Sequence, residues 1–172
     1  MRDAKSKWLS VLLVLAAVPS LCLQGLTATP VNPMRRWFES GEYEASQGHY
    51  EKALRMYERL LPLWRTRPQL HTAVGDAQLG LGRYGSAIVS YSEALRVSPG
   101  SAPARLGLAR AAARSGDRVQ ALRQLEDLER IAPRHEPGYL LRSQLLREQG
   151  DPDAALGLDH SRHRLRQHLP DV

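Results

Sequence analysis

The chain has 172 residues, 42% of them hydrophobic and 24% charged, with a formal net charge of +6 at pH 7, which suits one modest globular domain and a short leader. A single cysteine, Cys22, excludes an intramolecular disulfide, a thiolate metal site and a CxxC redox pair. The positive charge does not point to nucleic acid: apart from Lys5, Lys7 and Lys52 the basic residues are all arginine, dispersed among acidic neighbours without a stripe that could track phosphates.

At the N-terminus Arg2, Lys5 and Lys7 precede an uncharged run, WLSVLLVLAAVPSLCLQGL, over residues 8–26. As a helix, 19 residues reach about 28 Å, close to the ~30 Å hydrocarbon core of a bilayer. Residues 1–28 are therefore expected to be a signal peptide, cut for instance after Ser20, or a retained signal anchor. Positive charge ahead of the run holds the N-terminus in the cytoplasm and sends the rest across. The expected location is the cell envelope, either anchored in an inner membrane with periplasmic repeats or released to the periplasm. Lipidation of Cys22 is disfavoured because the preceding residue, Leu21, is not small. The stretch TATPVNP that follows carries two prolines and no periodicity, leaving residues 29–33 as a linker.

Beyond the linker one unit repeats. Segments beginning GHYEKAL, GRYGSAI, GDRVQAL and GDPDAAL start at Gly48, Gly82, Gly116 and Gly150, each 34 residues after the last. Self-similarity at this period indicates helical hairpins, each unable to cover its own apolar face, stacked on one another. The frame divides the chain into repeats at 34–67, 68–101, 102–135 and 136–169, with a tail at 170–172. In each unit a small residue (Gly41, Gly75, Ala109, Ser143) is followed by an alanine (Ala53, Ala87, Ala121, Ala155). Bulk at either place would force the paired helices apart. Around them stand Trp37, Tyr50, Tyr57, Tyr84, Tyr91 and Tyr139, and Pro99 and Pro133 close two of the units.

This pattern resembles the tetratricopeptide repeat, over 34–169. The resemblance implies an all-α fold, a right-handed superhelical solenoid of four helix-turn-helix hairpins, here preceded by an N-terminal hydrophobic helix. Two departures stand out. Repeat one has Arg65 in place of the closing proline and a Pro62 that should stop its second helix. Repeat four places Pro152, Asp159 and Arg162 where the first two repeats carry apolar or aromatic groups, as suits a polar cap on a stack. Asp117 and Asp151 read as N-caps, and Pro152 as a first helical residue. Ala87, Ile88, Tyr91, Ala94, Leu95 and Ser98, and then Ala121, Leu122, Leu125, Leu128 and Ile131, form stripes at helical spacing that read as core.

In the family, the first helices line a concave face. Equivalent positions there are Glu42, Asp76, Arg110 and Gln144, with Glu39 nearby, Arg114 in repeat three and Arg147 with Glu148 in repeat four. The resemblance thus implies a partner groove that is acidic in its N-terminal half and basic in its C-terminal half, suited to an extended peptide with opposite charges at its ends. Family members that grip the C-terminal carboxylates of heat-shock chaperones use lysine and asparagine at positions that here are Phe38, Glu42, Ala73, Pro103 and Gly107, so that clamp is absent.

No catalytic residue and no cofactor motif is identified: the chain lacks a Gly-rich phosphate loop and an HExxH pair. Asp159, His160 and His163, with His168 beyond, could meet roughly one helix turn apart as a surface metal site, but a polar end-cap helix with exposed histidines is the simpler explanation. The expected function is a non-enzymatic scaffold or adaptor of the cell envelope that binds a protein or an extended peptide, tied to a membrane through its N-terminal segment. The alternative is a metal-binding or accessory subunit of an envelope enzyme complex. The last hairpin, without a further capping helix, leaves a face for self-association into a homo-oligomer.

Overall fold

The structure is a computed structural model, which describes residues 33–151 and 155–157. Outside the described residues lie the leader, most of the linker, Cys22, Pro152, the Asp159, His160 and His163 group with His168, and the tail. Two compact units divide the chain, Met1–Arg36 and Trp37–Val172; of the first, only residues 33–36 are described.

Seven helices are described: α1 (Pro33–Ser46), α2 (Tyr50–Leu60), α3 (Pro68–Gly80), α4 (Tyr84–Val97), α5 (Ala102–Ser115), α6 (Arg118–Ile131) and α7 (Glu136–Gln149). Helical backbone resumes at 155–157, and no strand occurs among the described residues. Pro33 opens α1 instead of closing the linker, because a proline at the first helical position forfeits no hydrogen bond.

The turns obey the sequence period. Gly48, Gly82, Gly116 and Gly150 all have positive φ, between 71° and 92°, a region that L side chains avoid. At Gly116 the amide donates to the Ala113 carbonyl (3.2 Å) and the next amide, Asp117, to the Ala112 carbonyl (2.9 Å). That double bond satisfies carbonyls the helix end would otherwise orphan. The same pair of bonds recurs at 48–49, 82–83 and 150–151. Asp117 then caps the following helix, its carboxylate accepting from the Gln120 amide at 2.9 Å. Caps also come from Ser101 and from His135 Nδ1, which accepts from Gly138.

Consecutive hairpins stack into a solenoid. Within repeats two and three, α3 packs on α4 and α5 on α6; between repeats, α4 packs on α5 and α6 on α7, while α3 touches α5 and α5 touches α7. The small positions all lie inside: Ala53, Ala87, Ala109, Ala121 and Ala155 are fully buried, Gly41 and Gly75 are buried, and so is Ser143. Size is matched across each crossing. A Cβ added to Gly75 would come within 2.8 Å of the Tyr91 ring, and one on Gly41 would strike Tyr57. In repeat three the partner is Leu125, and Ala109 fits in the same cluster. Gly107 abuts Tyr91 as well, so one buried ring is held by glycines of two hairpins.

The first repeat is irregular where its prolines are. Helix α2 stops at Leu60, just before Pro62, whose missing amide cannot extend the ladder. Trp64 fills the vacated corner: Phe38 lies 6.0 Å from it and 5.6 Å from Tyr57, and the Arg67 guanidinium sits 5.1 Å over the Trp64 ring. At the other end, arginines tie helices together within and between hairpins. Arg105 donates to Asp127 and Gln124 of α6 and to the Pro99 carbonyl; Arg142 on α7 donates to Glu126 and Glu129 of α6. In the two core stripes Ala87, Tyr91, Ala94, Ala121, Leu125 and Leu128 are buried, Ile88, Leu95, Ser98 and Leu122 are half-buried, and Ile131, the last residue of α6, is exposed.

Gly107→Ala is expected to lower stability by about 1–2 kcal/mol, because the ring it strikes cannot retreat and overpacking of ~1–3 kcal/mol outweighs a helix-propensity gain of ~1 kcal/mol. Gly85→Ala, with nothing within 4 Å of the new methyl, should leave stability unchanged or slightly raise it. Thermal melts of the two variants check this; equal shifts would show that Tyr91 is not wedged.

Candidate functional site

A cleft of about 810 Å³ crosses the first helices of three repeats. Asp76 comes from α3, Arg110 and Arg114 from α5, and Gln144 and Glu148 from α7; Tyr50 at the start of α2 and Tyr84 at the start of α4 complete the polar rim. Leu79, Ala113, Leu141 and Leu145 form the apolar floor. Successive lining residues of one helix are four apart (110 and 114, 144 and 148), since a spacing of four returns to nearly the same face.

Four of the seven groove residues expected from sequence therefore meet here: Asp76, Arg110, Arg114 and Gln144. Glu39, Glu42 and Arg147 are not part of the cleft lining, although Glu42 reaches the same region electrostatically through Tyr57. On α7 it is Glu148 that lines the cleft, the equivalent of Arg114 one repeat on, whereas Arg147 does not, although its equivalents Leu79 and Ala113 do. The charge order along the cleft is thus acid, base, acid. Tyr50 and Tyr84 also emerge as lining groups that the repeat pattern assigned to large motif positions. Their signal was present in the sequence, each standing two residues after a turn glycine and one period apart.

Asp76 links the cleft to the core. The Tyr91 hydroxyl, rising from a fully buried ring, donates to Asp76 Oδ1 at 2.6 Å. Asp76 remains open to solvent, yet protein surrounds it on the concave side. That desolvation raises its carboxyl pKa, opposed by the Tyr91 hydrogen bond and by the charge of Arg110. Burial, then the Asp76 charge, push the Tyr91 hydroxyl far above the ordinary tyrosine value, with Arg110 acting against them; it stays protonated and remains a donor. Tyr57 is raised as well, by burial first and then by Glu42 and Asp76.

The two cations opposite make no direct bond. Neither Arg110 nor Arg114 has a hydrogen bond or ion pair among the described residues, and both are exposed. Glu148 accepts from Gln144 Nε2 at 2.9 Å and lies 3.6 Å from Arg118. Among the described residues no group of three or more His, Cys, Asp or Glu side chains could hold a metal, and no helix is long and apolar enough to cross a membrane. The arrangement offers fixed charges, two aromatic rings and a shallow apolar floor, which is the chemistry of recognition.

Two family models, both described as tetratricopeptide repeat, match residues 38–102 and 78–145. Among solved structures, "MamA 41-end" from Desulfovibrio magneticus RS-1 is similar at a TM-score of 0.72 and 14% identity, over 80% of this chain and 78% of that one. A thermophilic TPR protein from Thermus thermophilus is similar at 0.67 and 24% identity, over 75% and 72%. The first TPR of Spaghetti (RPAP3), bound to the HSP90 peptide SRMEEVD, is similar at 0.65 and 16% identity, over 68% and 93%. The sequence has no match among curated proteins.

The raised pKa of Asp76 has a stability consequence. The folded chain holds this proton to higher pH than the unfolded chain, so stability from this group falls as pH rises from the ordinary value of 3.8 through the raised one. Asp76→Asn removes that slope. The melting temperature of the variant minus that of the unaltered chain should increase between pH 4 and pH 7; a decrease would mean that the hydrogen bond and Arg110 outweigh burial.

Proposed function

The chain belongs to the tetratricopeptide-repeat family, and on that premise we propose that it is a protein-interaction scaffold whose cleft over α3, α5 and α7 receives an extended segment of a partner protein. The observation that carries this reading is the pair Arg110 and Arg114, two exposed guanidiniums at the centre of the cleft without a hydrogen-bonding partner among the described residues. A solvated arginine is cheap to leave on a surface. Two of them one helical turn apart, over an apolar floor and between carboxylates, form a site for a charged group fixed in register. The peptide seated on the similar RPAP3 repeat domain supports the ligand class. The ligand's identity differs, because Phe38, Glu42, Ala73, Pro103 and Gly107 replace the lysines and asparagines of the heat-shock clamp; of these, Phe38 packs on Tyr57 and Trp64 and Gly107 on Tyr91, so those two are structural here.

The reading includes a place in the cell envelope. Its support is the basic Arg2, Lys5 and Lys7 ahead of the uncharged residues 8–26. In spheroplasts, added protease should digest the repeats; protection equal to that of a cytosolic marker would remove the envelope placement.

Peptides selected by display on the full chain should perturb the amide signals of Asp76, Arg110 and Gln144 in NMR spectra. Their affinity should fall tenfold or more in the Arg110→Glu, Arg114→Glu double variant and weaken with added salt. Selected peptides that leave these signals and the double variant's affinity unchanged would place binding elsewhere.

A further inference from the structure

The order of charges along the cleft defines which segment fits it. Resting on the peptide-binding reading above, we infer that the cleft recognises an extended segment whose side chains run positive, negative, positive at intervals of three residues.

The first position is a cation site. Asp76 lines the cleft together with Tyr50 and Tyr84, and Tyr50 packs on α3 one helical turn from Asp76, where a Cβ on Gly80 would come within 2.6 Å of its ring. A carboxylate beside aromatic rings takes an ammonium or guanidinium, the ring faces adding to the charge attraction. Tyr91 fixes the carboxylate by occupying Oδ1, leaving Oδ2 for the incoming donor. Glu42, which acts on Tyr57 together with Asp76, adds negative potential at this end.

The middle position is an anion site. Arg110 and Arg114 present two guanidiniums from α5 with no acceptor bonded to either among the described residues. A carboxylate placed between them accepts from both forks. The third position returns to a cation site at Glu148, which Gln144 and Arg118 orient without saturating its acceptor capacity.

Spacing follows from the stack. The three positions lie on α3, α5 and α7, each in contact with the next. Packed helices stand ~8–10 Å apart, and a segment extended in polyproline II geometry advances ~3.1 Å per residue with about three residues per turn, so one helix step corresponds to about three residues and every third side chain faces the cleft. The pattern is the same in either chain direction. A continuous polyanion is disfavoured, because its flanking charges would meet Asp76 and Glu148.

Fluorescence anisotropy with the full chain and three labelled peptides tests this. The matched core is Lys-Thr-Thr-Glu-Thr-Thr-Lys; the controls are its charge inverse, Glu-Thr-Thr-Lys-Thr-Thr-Glu, and a compressed form, Lys-Thr-Glu-Thr-Lys. The matched peptide is expected to bind at least tenfold more tightly than either control. The Arg110→Glu, Arg114→Glu double variant, altered only at exposed side chains, should lose that preference and favour a peptide with lysine at its centre. Equal or tighter binding of either control, or stronger binding of an oligonucleotide, overturns the charge pattern. If display-selected peptides still perturb the cleft in that case, peptide binding stands and only the pattern falls. If no peptide of any sequence perturbs it, both fall.

Discussion

The fold depends on a steric match between a missing side chain on one helix and a large one on the next. Gly41 accommodates Tyr57, Gly75 and Gly107 accommodate Tyr91 from two hairpins, and the slightly larger Ala109 answers the smaller Leu125. Interior packing has almost no slack, so this match sets how closely the helices of a hairpin and the hairpins themselves approach. Each later feature inherits that distance. The three first helices can lay their exposed faces side by side only because the layer behind them is drawn in to contact.

The same contact connects core to cleft. Tyr91 is buried against glycines, and its hydroxyl emerges at Asp76. A rigid ring therefore delivers a fixed hydrogen bond to a carboxylate that solvent can reach. The carboxylate cannot rotate away without leaving the buried hydroxyl without its acceptor, which carries a penalty of about 1–3 kcal/mol. Charge at this point of the cleft is thus held by packing rather than by surface ion pairing, and the apolar and electrostatic properties of the site are two ends of one side chain.

Farther along the stack, polar contacts take over from aromatic ones. Repeats one and two are locked by tyrosines; repeats three and four by leucines and by Arg105 and Arg142, which reach across helices to carboxylates of α6. Partly buried arginines of this kind are costly to orphan, and their pairing specifies which face of α7 meets α6. On α7, Glu148 lines the cleft and Arg147 does not.

The repeat frame was written in the sequence: four glycines 34 apart can hardly mean anything but four identical turns, and each does adopt positive φ with the same pair of capping bonds. Small residues and alanines at the crossings, and the end of α2 at Pro62, were equally legible, because each is imposed by local backbone or contact sterics. The cleft was only partly so. Asp76, Arg110, Arg114 and Gln144 could be placed by period alone, since period assigns residues to a helix face. Glu148 follows by the same period from Arg114; the period sets Arg147 beside it as the equivalent of Leu79 and Ala113, and only the structure leaves it out of the lining. That Tyr50 and Tyr84 frame the cleft, and that Arg110 and Arg114 lie in it without bonded partners, are relations between residues of different hairpins. A period in the sequence makes such residues equivalent; only packing in three dimensions brings them to one place.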